Sequence, residues 1–322
     1  MDTNEWSSLE GEMPRENVVI VGVDGSETSN AALDWAAAEA RRLGWRLHIV
    51  CAYAVPAFTV ASLDGGFAAV DDSAIQAGAQ IVIDEAVARV GDDLEVTSAI
   101  ELGDAAGVLV ELSRQAGLAV VGTRGGGGFA DRLLGTVSSS LPAHAHCPTV
   151  VVPRADDGQA PFTPVRRIVV GVDGSESATI ALRRAVDEAV LWDAHLTAVA
   201  AVPIGGSAGS LAWLPAAVDR DDVLADVKVG LSVAVEQAVA GRDVRISQHA
   251  LDGNAAALLA EFSTAVDLVV VGSRGRGGFA GLLLGSTSQA VLHHAVCPVM
   301  VVPARSAHED VGNPTDVPWR RR

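Results

Sequence analysis

Two glycine loops carry the chemistry that this sequence can do. Gly122-Thr123-Arg124-Gly125 is followed by nine residues and then Gly135-Thr136; Gly272-Ser273-Arg274-Gly275 is followed by nine residues and then Gly285-Ser286. Each loop comes after an apolar run, residues 118–121 or 268–271, that reads as a buried strand of a parallel sheet. Glycine at such a point lets the backbone turn sharply and approach a ligand closely, because no Cβ stands in the way. Thr136, Val137 and Ser138, or Ser286, Thr287 and Ser288, then fall where a helix begins. A helix start offers unpaired N–H groups and the positive end of the helix dipole, which together hold an anion. Strand, glycine loop and helix N-terminus in that order predict a phosphate site in each copy.

The side chains within the loops differ. Arg124 and Arg274 reach either a phosphate or solvent, and a guanidinium suits phosphate. The first loop runs on as Gly126, Gly127 and Gly128, where the second has Arg276 before Gly277 and Gly278. Extra glycine makes the first loop more mobile or one contact poorer, so the two sites are expected to differ in affinity. Asp24, in Val-Gly-Val-Asp-Gly-Ser-Glu, matches Asp173 in the same seven residues. Either aspartate could simply cap the helix that follows, since Asp-Gly-Ser is a good turn and cap sequence.

The copies belong to one duplicated unit. Asp24 and Asp173 lie 149 residues apart, and the glycine loops and the closing Cys147-Pro148 and Cys297-Pro298 lie 150 apart. A period of that size is a domain rather than a solenoid repeat. The expected organisation is a tail over 1–16, a domain over 17–154, a linker over 155–165, a second domain over 166–304 and a tail over 305–322.

Elements that must position the loops can be read in order. A β-branched run at 18–23 is a strand ending in a turn, followed by a helix over 26–43 stopped by Gly44. A strand over 47–53, a long Gly- and Ala-rich loop over 56–72, a helix over 75–90, a strand over 94–100 and a helix over 104–115 follow. Then come the strand at 118–121, the glycine loop, a helix over 136–144 and a strand over 149–152; the second half repeats the series from 167 to 302. Alternating strands and helices predict doubly wound parallel sheets, with ligands at the carboxyl ends of the strands. Asp24 and the Gly122 loop both lie at such ends, which lets them meet.

Bulk properties exclude several classes. The 322-residue chain is 49% hydrophobic, the composition of ordered domains. Its formal charge of −17 argues against nucleic acid and leaves any anionic ligand to be held by local dipoles. Three cysteines make no disulfide framework, so a reducing, cytoplasmic setting is expected. Met1 to Asn17 is polar and acidic, without the features of a secretory signal, and no apolar run is long enough to span a membrane. His144, His146 and Cys147, with His293, His294 and Cys297, lack four ligands at consistent spacing and read as ordinary side chains beside buried thiols, not metal sites. Trp35 and Trp192 are taken as one packing residue in each half.

The Val-Gly-Val-Asp-Gly-Ser strand end, the G-x2-G-x9-G-[S/T] loop and the Cys-Pro-Val-x-Val-Val-Pro ending closely resemble the universal stress protein family in its tandem two-domain, ATP-binding form. The resemblance covers nearly the whole chain apart from tails and linker. It implies two α/β domains, each with a five-stranded parallel sheet in the order 3-2-1-4-5, Rossmann-like and of the adenine nucleotide alpha hydrolase type. It also implies that Asp24 and Asp173 hydrogen-bond a nucleoside, and that Gly22, Val23 and Ala52, or Gly171, Val172 and Ala201, frame adenine. Gly122, Gly125, Gly135, Thr136 and Ser138, or Gly272, Gly275, Gly285, Ser286 and Ser288, would take the phosphates, with Mg bound through them. Residues 149–152 would meet residues 299–302 in an internal pseudo-dimer, and tandem chains would pair again as a homodimer.

Three functions fit: an ATP-dependent stress-response switch acting on an unnamed protein partner, a slow ATP hydrolase, or a dimerisation scaffold indifferent to nucleotide. A strong phosphotransferase is disfavoured, because a Walker loop needs a lysine and the single lysine, Lys228, lies in a helical stretch of the second half. No kinase-type His-Arg-Asp segment and no Gly-x-Ser-x-Gly elbow occurs.

Overall fold

A computed structural model describes residues 16–54, 73–125, 134–154, 162–204, 219–276 and 283–304. The expected 56–72 loop, residues 1–15 and 305–322 of the expected tails, most of the linker, and Gly126, Gly127, Gly128, Gly277 and Gly278 lie outside the described residues, while Glu16, expected in the tail, opens the first strand.

The first half is β1 (Glu16–Gly22), α1 (Glu27–Leu43), β2 (Arg46–Tyr53), α2 (Ser73–Val90), β3 (Val96–Leu102), α3 (Ala105–Leu112), β4 (Ala116–Gly122), α4 (Thr136–His144) and β5 (Thr149–Val152). The second half repeats it as β6 (Arg167–Gly171), α5 (Glu176–Trp192), β7 (His195–Val202), α6 (Arg220–Val239), β8 (Ile246–Asp252), α7 (Ala255–Phe262), β9 (Leu268–Gly272), α8 (Ser286–His294) and β10 (Val299–Val302). The strands form one ten-stranded sheet in the order β3-β2-β1-β4-β5-β10-β9-β6-β7-β8. Each half therefore has the order 3-2-1-4-5 within itself. The halves join where β5 and β10 run antiparallel, with Met300 opposite Val150.

The pattern of burial follows the pleat. On β1, Val19 and Val21 face one core with Leu33 and Trp35 of α1, while Val18 and Ile20 face the other with Leu109 of α3 and Leu141 of α4. A strand buried on both faces can be continuously apolar, which is why the β-branched run needs no alternation. Helix starts are set by short polar caps. Ser26 Oγ accepts the Ser29 N–H at 3.2 Å, Asp104 Oδ2 accepts the Gly107 N–H at 3.0 Å, and Ser175 Oγ accepts the Ala178 N–H at 3.1 Å. α1 stops at Gly44, whose φ of 66° is the left-handed conformation that glycine adopts without strain.

Several sequence expectations are corrected in detail. The α3 helix ends at Leu112 rather than Gln115, and Asp104 is its cap rather than its first residue. β3 sits two residues later than expected, because its register is set by pairing Leu47 with Val96 through Tyr53 with Leu102. Trp35 and Trp192 are both buried packing residues, as expected, and at the offset of 149 Trp35 corresponds to Arg184 and Trp192 to Leu43.

Candidate functional site

Two equivalent cavities open at the carboxyl edge of the sheet. β1 ends at Gly22, and the chain turns through Val23, Asp24 and Gly25, whose φ is 78°. Asp24 Oδ1 accepts the Ser26 N–H at 3.1 Å; Asp173 Oδ1 does the same for Ser175 at 2.9 Å. Each aspartate shapes the turn, but the side-chain cap of the next helix is the serine, Ser26 or Ser175. Capping is therefore not what Asp24 or Asp173 does.

The glycine loops close over these turns. Thr28 Oγ1 and, at 3.3 Å, Ser26 Oγ donate to the Arg124 carbonyl, tying the first loop to the start of α1. In the second domain, Ser177 Oγ accepts the Arg274 N–H at 3.3 Å. Asp173 Oδ2 also accepts the Arg276 N–H at 3.0 Å. Burial alone would hold the Asp173 carboxyl above the ordinary range, but its hydrogen bonds to Ser175 and Arg276 and the nearby Arg276 guanidinium lower it on balance. It is the ionised carboxylate that those groups stabilise. The Arg276 guanidinium lies over Gly174, its Nη2 2.5 Å from where a Cβ would stand, so that glycine cannot carry a side chain without displacing the arginine.

Past each loop the chain enters a helix with an open start. Gly135 donates its N–H to the Thr123 carbonyl at 2.9 Å and Gly285 to the Ser273 carbonyl at 2.7 Å, which brings α4 and α8 back over the strand ends. Neither N-cap glycine has a side chain to accept the first-turn N–H groups, unlike the Ser, Asp or Asn caps of α1, α3, α5, α6 and α7. Ser138 and Ser288 are buried and turned inward: Ser138 Oγ donates to the Thr123 carbonyl at 2.7 Å, and Ser288 Oγ to the Gly272 carbonyl at 2.6 Å. Their hydroxyls brace loop to helix, so at the helix start these two serines offer the cavity backbone rather than side chain.

The first cavity, about 480 Å³, brings together Gly22, Val23, Asp24, Ala52, Gly122, Thr123, Arg124, Gly125, Gly135, Thr136, Val137 and Ser138. The second, about 430 Å³, brings together Gly171, Val172, Asp173, Ala201, Gly272, Arg274, Gly275, Arg276, Gly285, Ser286, Thr287 and Ser288. Ser273 is the exception. It is buried away from the cavity, its Oγ accepting the Ala304 N–H at 3.2 Å, and so holds the end of β10.

The sequence did not point to Val50, Ala105, Leu109 and Leu134, or to Val199, Ala255, Leu259 and Leu284, which complete the apolar walls. A signal was present for Ala105 and Ala255. Each follows a cap residue at the third strand-to-helix junction, on the same sheet edge. The cysteines are plain core: Cys51, Cys147 and Cys297 are buried and form no disulfide, and burial pushes the Cys297 thiol up to about 12. Among the described residues no group of His, Cys, Asp and Glu is arranged to hold a metal ion, and no helix is long and apolar enough to cross a membrane.

The sequence model of the universal stress protein family matches residues 17–153 and again 164–303. Universal stress protein Rv2005c of Mycobacterium tuberculosis is 36% identical over 299 residues, covering 89% of this chain and 97% of that one. Universal stress protein Rv2623 of the same organism is 34% identical over 297 residues, covering 88% and 95%. A solved universal stress protein from Archaeoglobus fulgidus shares the fold, with a TM-score of 0.63 over 89% of this chain and 97% of its own at 20% identity.

Proposed function

This chain belongs to the universal stress protein family, and we propose that within it the protein is a nucleotide-binding regulator with one ATP site per domain, occupancy acting as the switch. The observation that carries this reading is the pair of helix starts, α4 and α8, that lack a side-chain cap and open on equivalent cavities. Free first-turn N–H groups at the positive end of a helix are where a phosphate is held, and they need no lysine. Lys228 lies on α6 and lines neither cavity.

The remaining roles follow from position. Apolar walls from Val23, Ala52 and Leu109, or Val172, Ala201 and Leu259, suit a purine. Asp24 and Asp173 accept hydrogen bonds from ribose hydroxyls. Gly122, Thr123, Arg124 and Gly125, with Gly135, Thr136, Val137 and Ser138, embrace the phosphates; Gly272, Arg274, Gly275 and Arg276, with Gly285, Ser286, Thr287 and Ser288, do so in the second domain. Gly126, Gly127, Gly128, Gly277 and Gly278 follow these residues in sequence, and Ser273 supports the second loop from behind. Volumes near 450 Å³ suit one such ligand. Bound ATP, with Mg on its phosphates, would supply negative charge that draws each loop onto its helix. A switch is preferred to a hydrolase because no lysine lines either cavity. A cytoplasmic setting fits three buried cysteines that form no disulfide.

Calorimetric titration with ATP and Mg tests the roles. Asp24→Ala and Asp173→Ala should each weaken one of two sites about tenfold or more, the loss expected of a hydrogen bond to a charged group. The surviving affinities should differ, because Arg276 of the second loop has Gly126 as its counterpart in the first. Two variants that titrate like the parent chain would remove the aspartates from the site.

A further inference from the structure

The two domains also meet helix against helix, and that contact is not symmetric. α1 and α5 are equivalent elements on the two sides of the β5–β10 junction. At the offset of 149, Glu39 corresponds to Glu188, and both are buried, with no more than 1% of either residue exposed. Their neighbours do not correspond. Arg184 Nη2 stands 2.6 Å from Glu188 Oε1 and 3.9 Å from Glu39 Oε1, while the equivalent residue of α1 is Trp35. Trp192 Nε1 donates to Glu39 Oε2 at 2.8 Å, while its equivalent is Leu43. The Arg42 guanidinium lies over the Trp192 ring, 5.2 Å from its centroid.

The charges in this cluster do not balance. Two carboxyls face one guanidinium, and Asp187, the next nearest acid, is engaged by Arg242 of α6. Glu39 and Glu188 are within hydrogen-bonding reach of each other. Glu39 Oε1 and Glu188 Oε2 make no hydrogen bond among the described residues, and neither do Arg184 Nε and Nη2. A single proton shared by the two carboxyls lets them hydrogen-bond to each other and leaves one negative charge facing the one guanidinium, which balances the buried charge.

From this we infer that the α1–α5 contact selects its partner: the first domain fits a second-type domain, whose Arg184 and Trp192 serve Glu39, and does not fit another copy of itself. A first-with-first pairing would set Glu39 against Glu39 with Trp35 in place of the guanidinium, burying two acids without a counter-ion. A second-with-second pairing would bring two Trp192 indoles into the space that one indole and Leu43 fill. Duplication allowed the halves to diverge into complementary faces, and the mixed pairing is the one found within the chain.

The shared proton gives this lock a pH dependence. Burial, the charge of Glu188 and the hydrogen bond to it raise the Glu39 pKa well above the ordinary carboxylate value, while Arg184 and Trp192 pull the other way. A carboxyl raised in the folded state contributes stability that is complete below its unfolded pKa and is lost as pH rises through the folded one.

The test uses the full chain. Arg184→Trp with Trp192→Leu gives α5 the side chains that α1 carries, and should lower the thermal unfolding temperature clearly. Adding Glu39→Gln and Glu188→Gln should restore most of the loss, since the acids no longer need a counter-ion. An Arg184→Trp/Trp192→Leu chain as stable as the parent, or one that the two glutamines fail to rescue, overturns the inference. Should the double variant not fold, the parent and Glu39→Gln decide it, since glutamine keeps an acceptor for Trp192 and a donor for Glu188. The gap in unfolding temperature between Glu39→Gln and the parent should widen in favour of the variant as pH rises above the carboxylate range, every other titrating group being common to the two chains. Equal slopes would show that no proton is shared.

Discussion

Gly122→Val is expected to cost about 2–3 kcal/mol of stability and to empty the first site while leaving the second intact. Gly122 ends β4 directly beneath the first turn of α1. A Cβ there would stand 2.6 Å from the Thr28 carbonyl carbon and oxygen and 3.0 Å from the Ser29 nitrogen. These are backbone atoms of a helix packed on its sheet, so no rotamer change relieves the clash. Overpacking of this kind costs about 1–3 kcal/mol, and the two further methyls of valine place the effect at the upper end. The only escape is a shift of α1 away from β4, which moves the Ser26 and Thr28 hydroxyls from the Arg124 carbonyl and so releases the loop. Gly272→Val should do the same to the second site, where a Cβ would stand 2.9 Å from the Ser177 carbonyl. Thermal unfolding together with nucleotide stoichiometry checks both. An unchanged unfolding temperature with two nucleotides still bound would show that the strand end has room to spare.

The second large effect is an acid-side loss of stability set by His48. This residue lies on β2, wholly buried, opposite Ile20 on β1 and Thr97 on β3, with its Nδ1 2.8 Å from Thr97 Oγ1. Burial, helped by the nearby Arg46 charge, lowers its pKa from 6.5 to about 4. The unfolded chain therefore takes up a proton that the folded protein refuses. Stability contributed by the neutral ring is full above about 6.5 and is lost as pH falls through about 4. The difference corresponds to roughly 3 kcal/mol at the acid end of that window. His48→Thr installs the residue that the second domain carries at the equivalent position, Thr197. It should flatten the fall in denaturant stability between pH 6.5 and 4 relative to the parent. Parallel pH profiles for the two chains would mean that His48 charges freely when folded.

Much of this was legible in the sequence because its signals are local. The β-branched runs, the Ser and Asp caps, Gly44 and the glycine loops each act within a few residues, so β1, α1, β4 and α4 fall close to where the sequence places them. What the sequence could not show depends on contacts between distant residues. The register of β3 is chosen by β2, some fifty residues away, and so the strand slides past its apolar centre. Ser273 resembles Thr123 in the alignment of the two halves but turns to the end of β10, a contact that spacing within the loop does not encode. Ser138 and Ser288 look like phosphate ligands in a one-dimensional motif, yet their hydroxyls point at carbonyls behind the loop. The α1–α5 contact was least legible of all. Comparing the halves by motif hides it, because its meaning lies in positions where they differ: Trp35 against Arg184 and Leu43 against Trp192.

The central claim is that each domain holds a nucleotide at an uncapped helix start, and its most direct test is what the protein carries when purified without added nucleotide. Denaturing a known amount of protein and quantifying the released small molecules by mass spectrometry should give ATP approaching two per chain. Should washing strip the sites, ATP and Mg should refill them to the same number. A protein that releases no nucleotide and gives no heat on titration with ATP and Mg would contradict the account, and would leave the paired cavities as features of a scaffold.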